Sequence, residues 1–214
     1  MKKLIDKQMD SCTQIEELRL KFEERSKPAG AIKTLSLSDG QQKIISAIDD
    51  NRYTVVKKTR RTGATTAALA YLIANAVMPE NKGKRFCFIN GSLDLLGMAL
   101  SNARIMTKES FPAETATTVQ INLHYAGSRT ITFPNGSIIY FSLPKFCAEF
   151  FDTIIVDECA YYDFDVKLIT SQLAEDGKAC FISTPHRLLG AFANLWSKPE
   201  SEIKHVSVSF ADTP

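Results

Sequence analysis

Lys57-Lys58-Thr59-Arg60-Arg61-Thr62-Gly63-Ala64-Thr65-Thr66 gathers cations, hydroxyls and one glycine between a β-prone run, Tyr53-Thr54-Val55-Val56, and an apolar helical stretch, Ala67 to Met78. A strand, a tight loop and a helix start in that order aim loop N–H groups and the positive end of the helix at one anion, so the chemistry on offer is phosphate binding. The usual loop spacing, G-x-x-x-x-G-K-[ST], puts a lysine on the outer phosphates of a nucleotide and a hydroxyl on Mg²⁺. Gly63 and Thr65 meet that spacing, but Ala64 stands where the lysine is expected and Lys58 where the first glycine is. Lys58 lies at the mouth of the loop, and a point charge on a flexible stem needs reach rather than a fixed backbone position. A basic turn with solvated side chains has the same composition, so the loop alone leaves both readings open.

The second half of the chain favours the nucleotide. Phe151-Asp152-Thr153-Ile154-Ile155-Val156-Asp157-Glu158 ends an apolar, β-prone run on two adjacent carboxylates. In open α/β sheets the C-terminal strand edge is where ligands bind. There one acid, Asp157, suits the shell of Mg²⁺ together with Thr65, and the next, Glu158, suits a base for water facing the γ-phosphate. Cys180-Phe181-Ile182-Ser183-Thr184-Pro185 repeats the design, and Thr184 is placed to sense that phosphate. Upstream, Ser38-Asp39 reads as a helix cap before Gln41-Gln42-Lys43-Ile44-Ile45, and a fixed glutamine amide offers donor and acceptor together to an adenine edge.

The elements that must position these residues alternate. A strand over Arg85 to Asn90 and a helix over Leu93 to Met106 follow the loop and its helix, which predicts a mainly parallel sheet. Arg129 to Phe133 and Ser137 to Phe141 flank Pro134-Asn135-Gly136 and read as a hairpin without chemistry of its own. Val206 to Phe210 reads as the last strand. Residues 2 to 27 space Leu4, Ile5, Met9, Cys12, Ile15, Leu18 and Phe22 as one amphipathic helix, so residues 1–30 are expected to form a helix and linker, with a boundary at Pro28-Ala29-Gly30, and 31–214 the core.

Composition sets bounds. The 214 residues are 44% hydrophobic and 23% charged, ordinary for a soluble domain, and a net charge of +2 excludes no class of partner. Five cysteines, odd in number and without C-x-x-C spacing, fit a reduced compartment. His124, His186 and His205 lack metal-ligand spacing. The most apolar helix is too short to cross a bilayer.

Together these stretches resemble the ATPase domain of the large terminase subunit, the motor that packages DNA into phage and herpesvirus-type capsids. Gln41-x-x-Ile44-Ile45 is similar to that family's adenine motif, and Ile154-Ile155-Val156-Asp157-Glu158-Cys159-Ala160 to its second nucleotide motif. Ser183-Thr184-Pro185 is similar to its coupling motif. Some terminases carry the loop lysine first, as K-[ST]-x-R-x-G-x-[ST], which Lys58, Thr59, Arg61, Gly63 and Thr65 match in register. The resemblance implies an α/β P-loop NTPase core, RecA-like and of the additional-strand class, in a three-layer sandwich. It implies Mg²⁺-dependent ATP hydrolysis, with Lys58, Thr59, Arg60, Arg61, Thr62, Gly63, Ala64, Thr65, Thr66, Gln41, Gln42 and Thr184 at the nucleotide. Glu158 is then the base, Thr65 and Asp157 hold the metal, and Arg60 or Arg61 acts on the γ-phosphate. The implied partners are double-stranded DNA, the portal protein, the small terminase subunit and further copies in a ring, in the cytoplasm of an infected cell. The family's nuclease domain starts about where this chain ends, so no DNA cleavage is expected of this chain alone. A non-hydrolysing nucleotide-binding subunit, suggested by Ala64, and a helicase-like ATPase are the alternatives.

Overall fold

The computed structural model describes residues 10–18, 20–23, 32–110, 129–145, 149–186 and 189–212. The expected boundary at Pro28-Ala29-Gly30, and His124, lie outside them. In chain order the elements are α1 (Ser11–Glu17), β1 (Lys21–Glu23), β2 (Ile32–Thr34), α2 (Asp39–Asp50), β3 (Tyr53–Lys58), α3 (Ala64–Val77), β4 (Arg85–Asn90) and α4 (Leu93–Ser110). They continue with β5 (Arg129–Thr132), β6 (Ile138–Ser142), β7 (Phe151–Asp157), α5 (Val166–Thr170), β8 (Leu173–Ser183), α6 (Ala191–Trp196) and β9 (Lys204–Val208).

Seven strands form one sheet in the order β5-β6-β4-β7-β8-β3-β9, and all of its pairs are parallel except β5 with β6. That exception is the expected Asn135-Gly136 hairpin, added at the sheet edge. β8 lies between the strand that leads into the phosphate loop and the strand that ends in the acids, which is the additional strand that the class is named for.

Both faces of the sheet are covered, and strand residues serve the two cores alternately, as a period of two requires. Val56, Phe88, Ile155, Cys180 and Ile182 join α1 to α4 in one cluster. Val55, Cys87, Ile154, Val156 and Phe181 join α5 and α6 in the other. α3 is apolar nearly all round because it is buried nearly all round, and its alanines 67, 68, 70, 74 and 76 let it lie close against the sheet and its neighbour helices.

The N-terminal segment differs from the single helix expected over residues 2 to 27. Within the described residues the helix is confined to Ser11–Glu17, capped by Asp10, whose side chain accepts from the Thr13 N–H, and Lys21–Glu23 is a strand paired antiparallel to Ile32–Thr34. Tertiary hydrogen bonds outcompete the helical ladder here: the Leu35 N–H donates to the Leu20 carbonyl at 2.6 Å, and the Lys21 N–H to Ser110 Oγ at 2.8 Å. Ile15 and Leu20 are fully buried in the main core, and the Ser11 N–H and hydroxyl both donate to the Asp49 carboxylate at the end of α2. The last strand is also shorter at its end than the sequence suggests: it stops at Val208, and Phe210–Asp212 forms a 3-10 turn. Among the described cysteines Cys12, Cys159 and Cys180 are free thiols, and no described helix is long and apolar enough to cross a membrane.

Because Ile15 is part of the main core, Ile15→Ala is expected to lower unfolding free energy by roughly 2–5 kcal/mol. A urea titration followed through Trp196, on the opposite face of the sheet, checks this. An unchanged midpoint would show that α1 lies outside the cooperative unit.

Candidate functional site

Register brings the chemistry to one edge. Lys57 pairs with Ser183, Asn90 with Asp157 and Asp157 with Ile182, so β3, β4, β7 and β8 end level, with Lys58, Glu158 and Thr184 at or just beyond their C-terminal ends. Beside them a cleft of about 390 Å³ is lined by residues that include Lys58, Arg60, Arg61, Asn90, Glu158 and Tyr161. Two larger clefts, of about 640 and 710 Å³, are lined by other parts of the fold, and neither includes the phosphate loop.

Lys58 ends β3 and is only 6% exposed. Its ammonium donates to Glu158 Oε1 at 2.7 Å and to Thr184 Oγ1 at 3.2 Å, so one cation ties three strand ends together. Alongside, the Thr65 hydroxyl donates to Asp157 Oδ2 at 2.7 Å. Asp157 Oδ1 and Glu158 Oε2 are buried without a hydrogen-bond partner among the described residues. Two orphaned carboxylate oxygens beside a threonine hydroxyl form an all-oxygen donor set, which suits a hard divalent cation that also takes phosphate oxygens and water. Burial pushes the Asp157 carboxyl up to about 6, opposed by the Thr65 hydrogen bond. Glu158 itself sits in the left-handed region, φ 51°, a conformation that a non-glycine residue adopts at some energetic expense and that turns its side chain back over the sheet edge.

The loop is shaped by a pair of left-handed residues, Arg61 at φ 66° and Gly63 at φ 71°. Gly63 caps α3 without a side-chain acceptor, so the first-turn N–H groups of Ala64, Thr65 and Thr66 lie open to an anion. Thr62 is buried, and its hydroxyl donates back to the Thr59 carbonyl. The Thr59 N–H is bonded to the Val208 carbonyl at 3.0 Å and so belongs to the sheet rather than to the cradle. Arg60 and Arg61 are exposed at the cleft, and the Tyr161 side chain beside Arg60 raises its guanidinium above the ordinary value.

Gln41 is tied into the fold at both ends of its side-chain amide. It closes a capping box on α2, Oε1 accepting from the Ser38 N–H at 3.0 Å, and its Nε2 donates to the Gly63 carbonyl at 3.1 Å. A Cβ on Gly63 would stand 2.6 Å from that nitrogen. The amide therefore fastens α2 to the phosphate loop. Gln42 is exposed and donates to the Leu37 carbonyl.

The sequence reading missed several site residues. Asn90 is buried at the end of β4 and accepts from the Ser92 N–H. The Tyr162 hydroxyl donates to the Asp157 carbonyl, and its ring packs so tightly on Gly91 that a Cβ there would meet it at 2.3 Å. Tyr161 stacks on His186 with centroids 4.5 Å apart. The available signals were the Asn90-Gly91-Ser92 turn directly after an apolar strand and the tyrosine pair directly after the acids.

Against this geometry the similarities to known proteins can be set. No protein-family model matches the chain, and no curated protein matches it in sequence. Solved structures do. The bacteriophage HK97 large terminase superposes with a TM-score of 0.72 at 15% identity, over 92% of this chain and 44% of that one. The chain has the fold of the phage large-terminase ATPase domain. The ATPase domain of the Thermus phage P74-26 large terminase gives 0.59 at 17% identity, with 81% of each chain covered. The large terminase of thermophilic bacteriophage D6E in complex with ATP-gamma-S gives 0.63 at 17%, over 83% of this chain and 46% of that one. The chain thus spans less than half the length of the HK97 and D6E terminases it matches. The D6E terminase has also been solved with ADP.

Burying the Asp157 charge has a measurable consequence in the nucleotide-free protein. Its folded value lies above the ordinary 3.8, so its contribution to stability is complete below 3.8 and is lost as pH rises through about 6. Asp157→Asn removes that loss, and is expected to stabilise the protein by about 1–3 kcal/mol more near neutral pH than at mildly acid pH. Thermal unfolding of parent and variant at the two pH values checks this; an equal shift at both would refute it.

Proposed function

We propose that the chain is the ATP-hydrolysing motor domain of a viral large terminase, driving double-stranded DNA into a procapsid. The observation that carries this reading is the Lys58–Glu158–Thr184 cluster beside the Thr65–Asp157 pair. A base, a cation, a metal-binding pair and a γ-phosphate sensor converge on one sheet edge next to an open helix start. The terminase-like fold and the nucleotides bound by the D6E protein support it.

In this reading the loop from Lys58 to Thr66 holds the polyphosphate through its N–H groups, and Thr65 and Asp157 hold Mg²⁺. The metal, when bound, neutralises charge on the β- and γ-phosphate oxygens. Lys58 exchanges its bond to Glu158 for the incoming phosphate oxygens. The carboxylate released is a base directed at the water that attacks the γ-phosphorus. As the new P–O bond forms, the bond to the bridging oxygen breaks, the water's proton passes to Glu158, and ADP and phosphate result. Arg60 or Arg61, both exposed at the cleft beside Glu158, stabilises charge growing on the γ-phosphoryl oxygens. Thr184 loses the Lys58 bond in the same exchange, which transmits nucleotide state to the segment after β8. The partners in this reading are DNA, portal, small terminase subunit and further copies in a ring, with the work done in the infected cell's cytoplasm and at the portal.

Steady-state phosphate release with Mg-ATP tests the reading. Glu158→Gln and Lys58→Ala are each expected to lower turnover by roughly 100-fold or more, and Glu158→Gln should keep ATP binding. Unchanged turnover in Glu158→Gln would remove the base from the mechanism. A parent that binds ATP without releasing phosphate would point to the non-hydrolysing subunit instead.

A further inference from the structure

Glu158 sits at φ 51°, between the end of β7 and the 3-10 turn Cys159–Tyr161. A non-glycine residue relaxes out of the left-handed region unless its surroundings over-determine it. Two peptide planes flank it, one shared with Asp157 and one shared with Cys159. The second is fixed within the turn, where the Tyr161 N–H donates to the Glu158 carbonyl at 3.1 Å. The first, whose orientation sets φ of Glu158, is fixed by a side chain: the Tyr162 hydroxyl donates to the Asp157 carbonyl at 3.0 Å.

Tyr162 is itself clamped. Its ring lies against Gly91, just past the end of β4, where a Cβ would stand 2.3 Å from it. Gly91 does not have a positive φ, so the approach of the ring, not the backbone conformation, accounts for the missing side chain. The same ring packs on Phe164 with centroids 5.8 Å apart, and Phe164 stacks at 5.9 Å on Phe181 of β8, in the core. Burial pushes the hydroxyl's ionisation far above the ordinary tyrosine value, so it remains a donor throughout the working pH range. The turn is also anchored from β8, the Ala160 N–H donating to Ser183 Oγ at 3.0 Å. One aromatic side chain thus joins the ends of β4 and β7 to the core at the point where the chain delivers its second acid.

We propose that Tyr162 is a positioning residue for Glu158: its hydroxyl, on the Asp157 carbonyl, holds the peptide plane that keeps Glu158 left-handed and its carboxylate over the sheet edge. This rests on the reading of Glu158 as the base and adds to it a residue outside the motifs. Without the hydroxyl the plane is free to turn, Glu158 relaxes toward an ordinary conformation, and the carboxylate spends less time directed at the cleft. The N–H groups that would hold the phosphates belong to the loop before α3 and not to this turn, so ATP affinity is retained.

Phosphate release, and ATP binding by calorimetry, on the full chain with Mg²⁺ test this in the parent, Tyr162→Phe, Glu158→Gln and the double variant. Tyr162→Phe keeps the ring and its packing, and is expected to lower kcat on the order of ten-fold with KM and ATP affinity as in the parent. In the Glu158→Gln background the same substitution is expected to lower turnover no further, because its effect passes through the carboxylate. Unchanged kcat in Tyr162→Phe, beside a loss in Glu158→Gln, would overturn the positioning role and leave the base standing. Loss of ATP affinity in proportion to kcat, or an equal further loss in the double variant, would also overturn it, by showing that the tyrosine only supports the fold of the site. A parent without turnover, or turnover unchanged in Glu158→Gln, would defeat the reading of the base and this inference with it.

Discussion

The buried ammonium of Lys58 is the contact on which the rest of the edge depends. A lysine that is 6% exposed is tolerable only with its charge paired, and here the partner is a glutamate just beyond the end of a strand two positions away in the sheet. β8 lies between them and contributes the Thr184 hydroxyl as a second acceptor. Moving any of the three strands by one residue would break the cluster and would also turn the alternating core residues to the wrong face. The two requirements therefore reinforce each other: the alternating cores hold the register that the charges need. The network is nonetheless incomplete, since Asp157 Oδ1 and Glu158 Oε2 are buried without partners and Glu158 carries left-handed strain. Incomplete satisfaction weakens a fold, and a site of this kind persists where a ligand completes it.

In the proposed mechanism the same contact has two arrangements. With Lys58 on Glu158, the carboxylate is neutralised by a cation and Thr184 is held. With Lys58 on a phosphate, both would be released together. A switch needs differential contacts in its two states, and one ammonium shared between a carboxylate, a hydroxyl and an incoming anion provides them without movement of the sheet. The stacked pair of Tyr161 and His186 joins the turn after the acids to the segment after Thr184, so the two parts freed by Lys58 are also in contact with each other.

What was legible in the sequence follows the same physics. Strong local signals were read correctly: apolar runs that end in acids or hydroxyls became central parallel strands, the Asn-Gly turn became a hairpin, and Ser38 capped α2. Misreadings arose where distant partners decided the outcome. The periodic apolar residues before Phe22 are compatible with a helix, but the backbone at Leu20 and Lys21 finds acceptors and donors on Leu35 and Ser110. A contact not read, rather than misread, is that of the Gln41 amide with a carbonyl twenty-two positions later, which helical periodicity cannot announce and which leaves donor and acceptor capacity for the expected adenine edge. Tyr161, Tyr162 and Asn90 carried no spacing rule at all. They matter because strands far apart in sequence end level.

The displaced lysine, the strongest objection to the phosphate loop when read as a pattern, has a packing explanation. Ala64 opens α3 at 2% exposure and belongs to the core cluster between that helix and its neighbours. A lysine at that position would have to draw its stem out of a close-packed apolar layer to bring its charge to the loop. The end of β3 has no such conflict: Lys58 already stands at the sheet edge, and its stem needs only to run along that edge. The helix thus keeps a small residue where it meets the core, and in the proposed function the cation would reach the phosphates from the strand. The loop spacing and the packing of α3 make opposed demands on one position, and moving the charge six residues toward the N-terminus meets both.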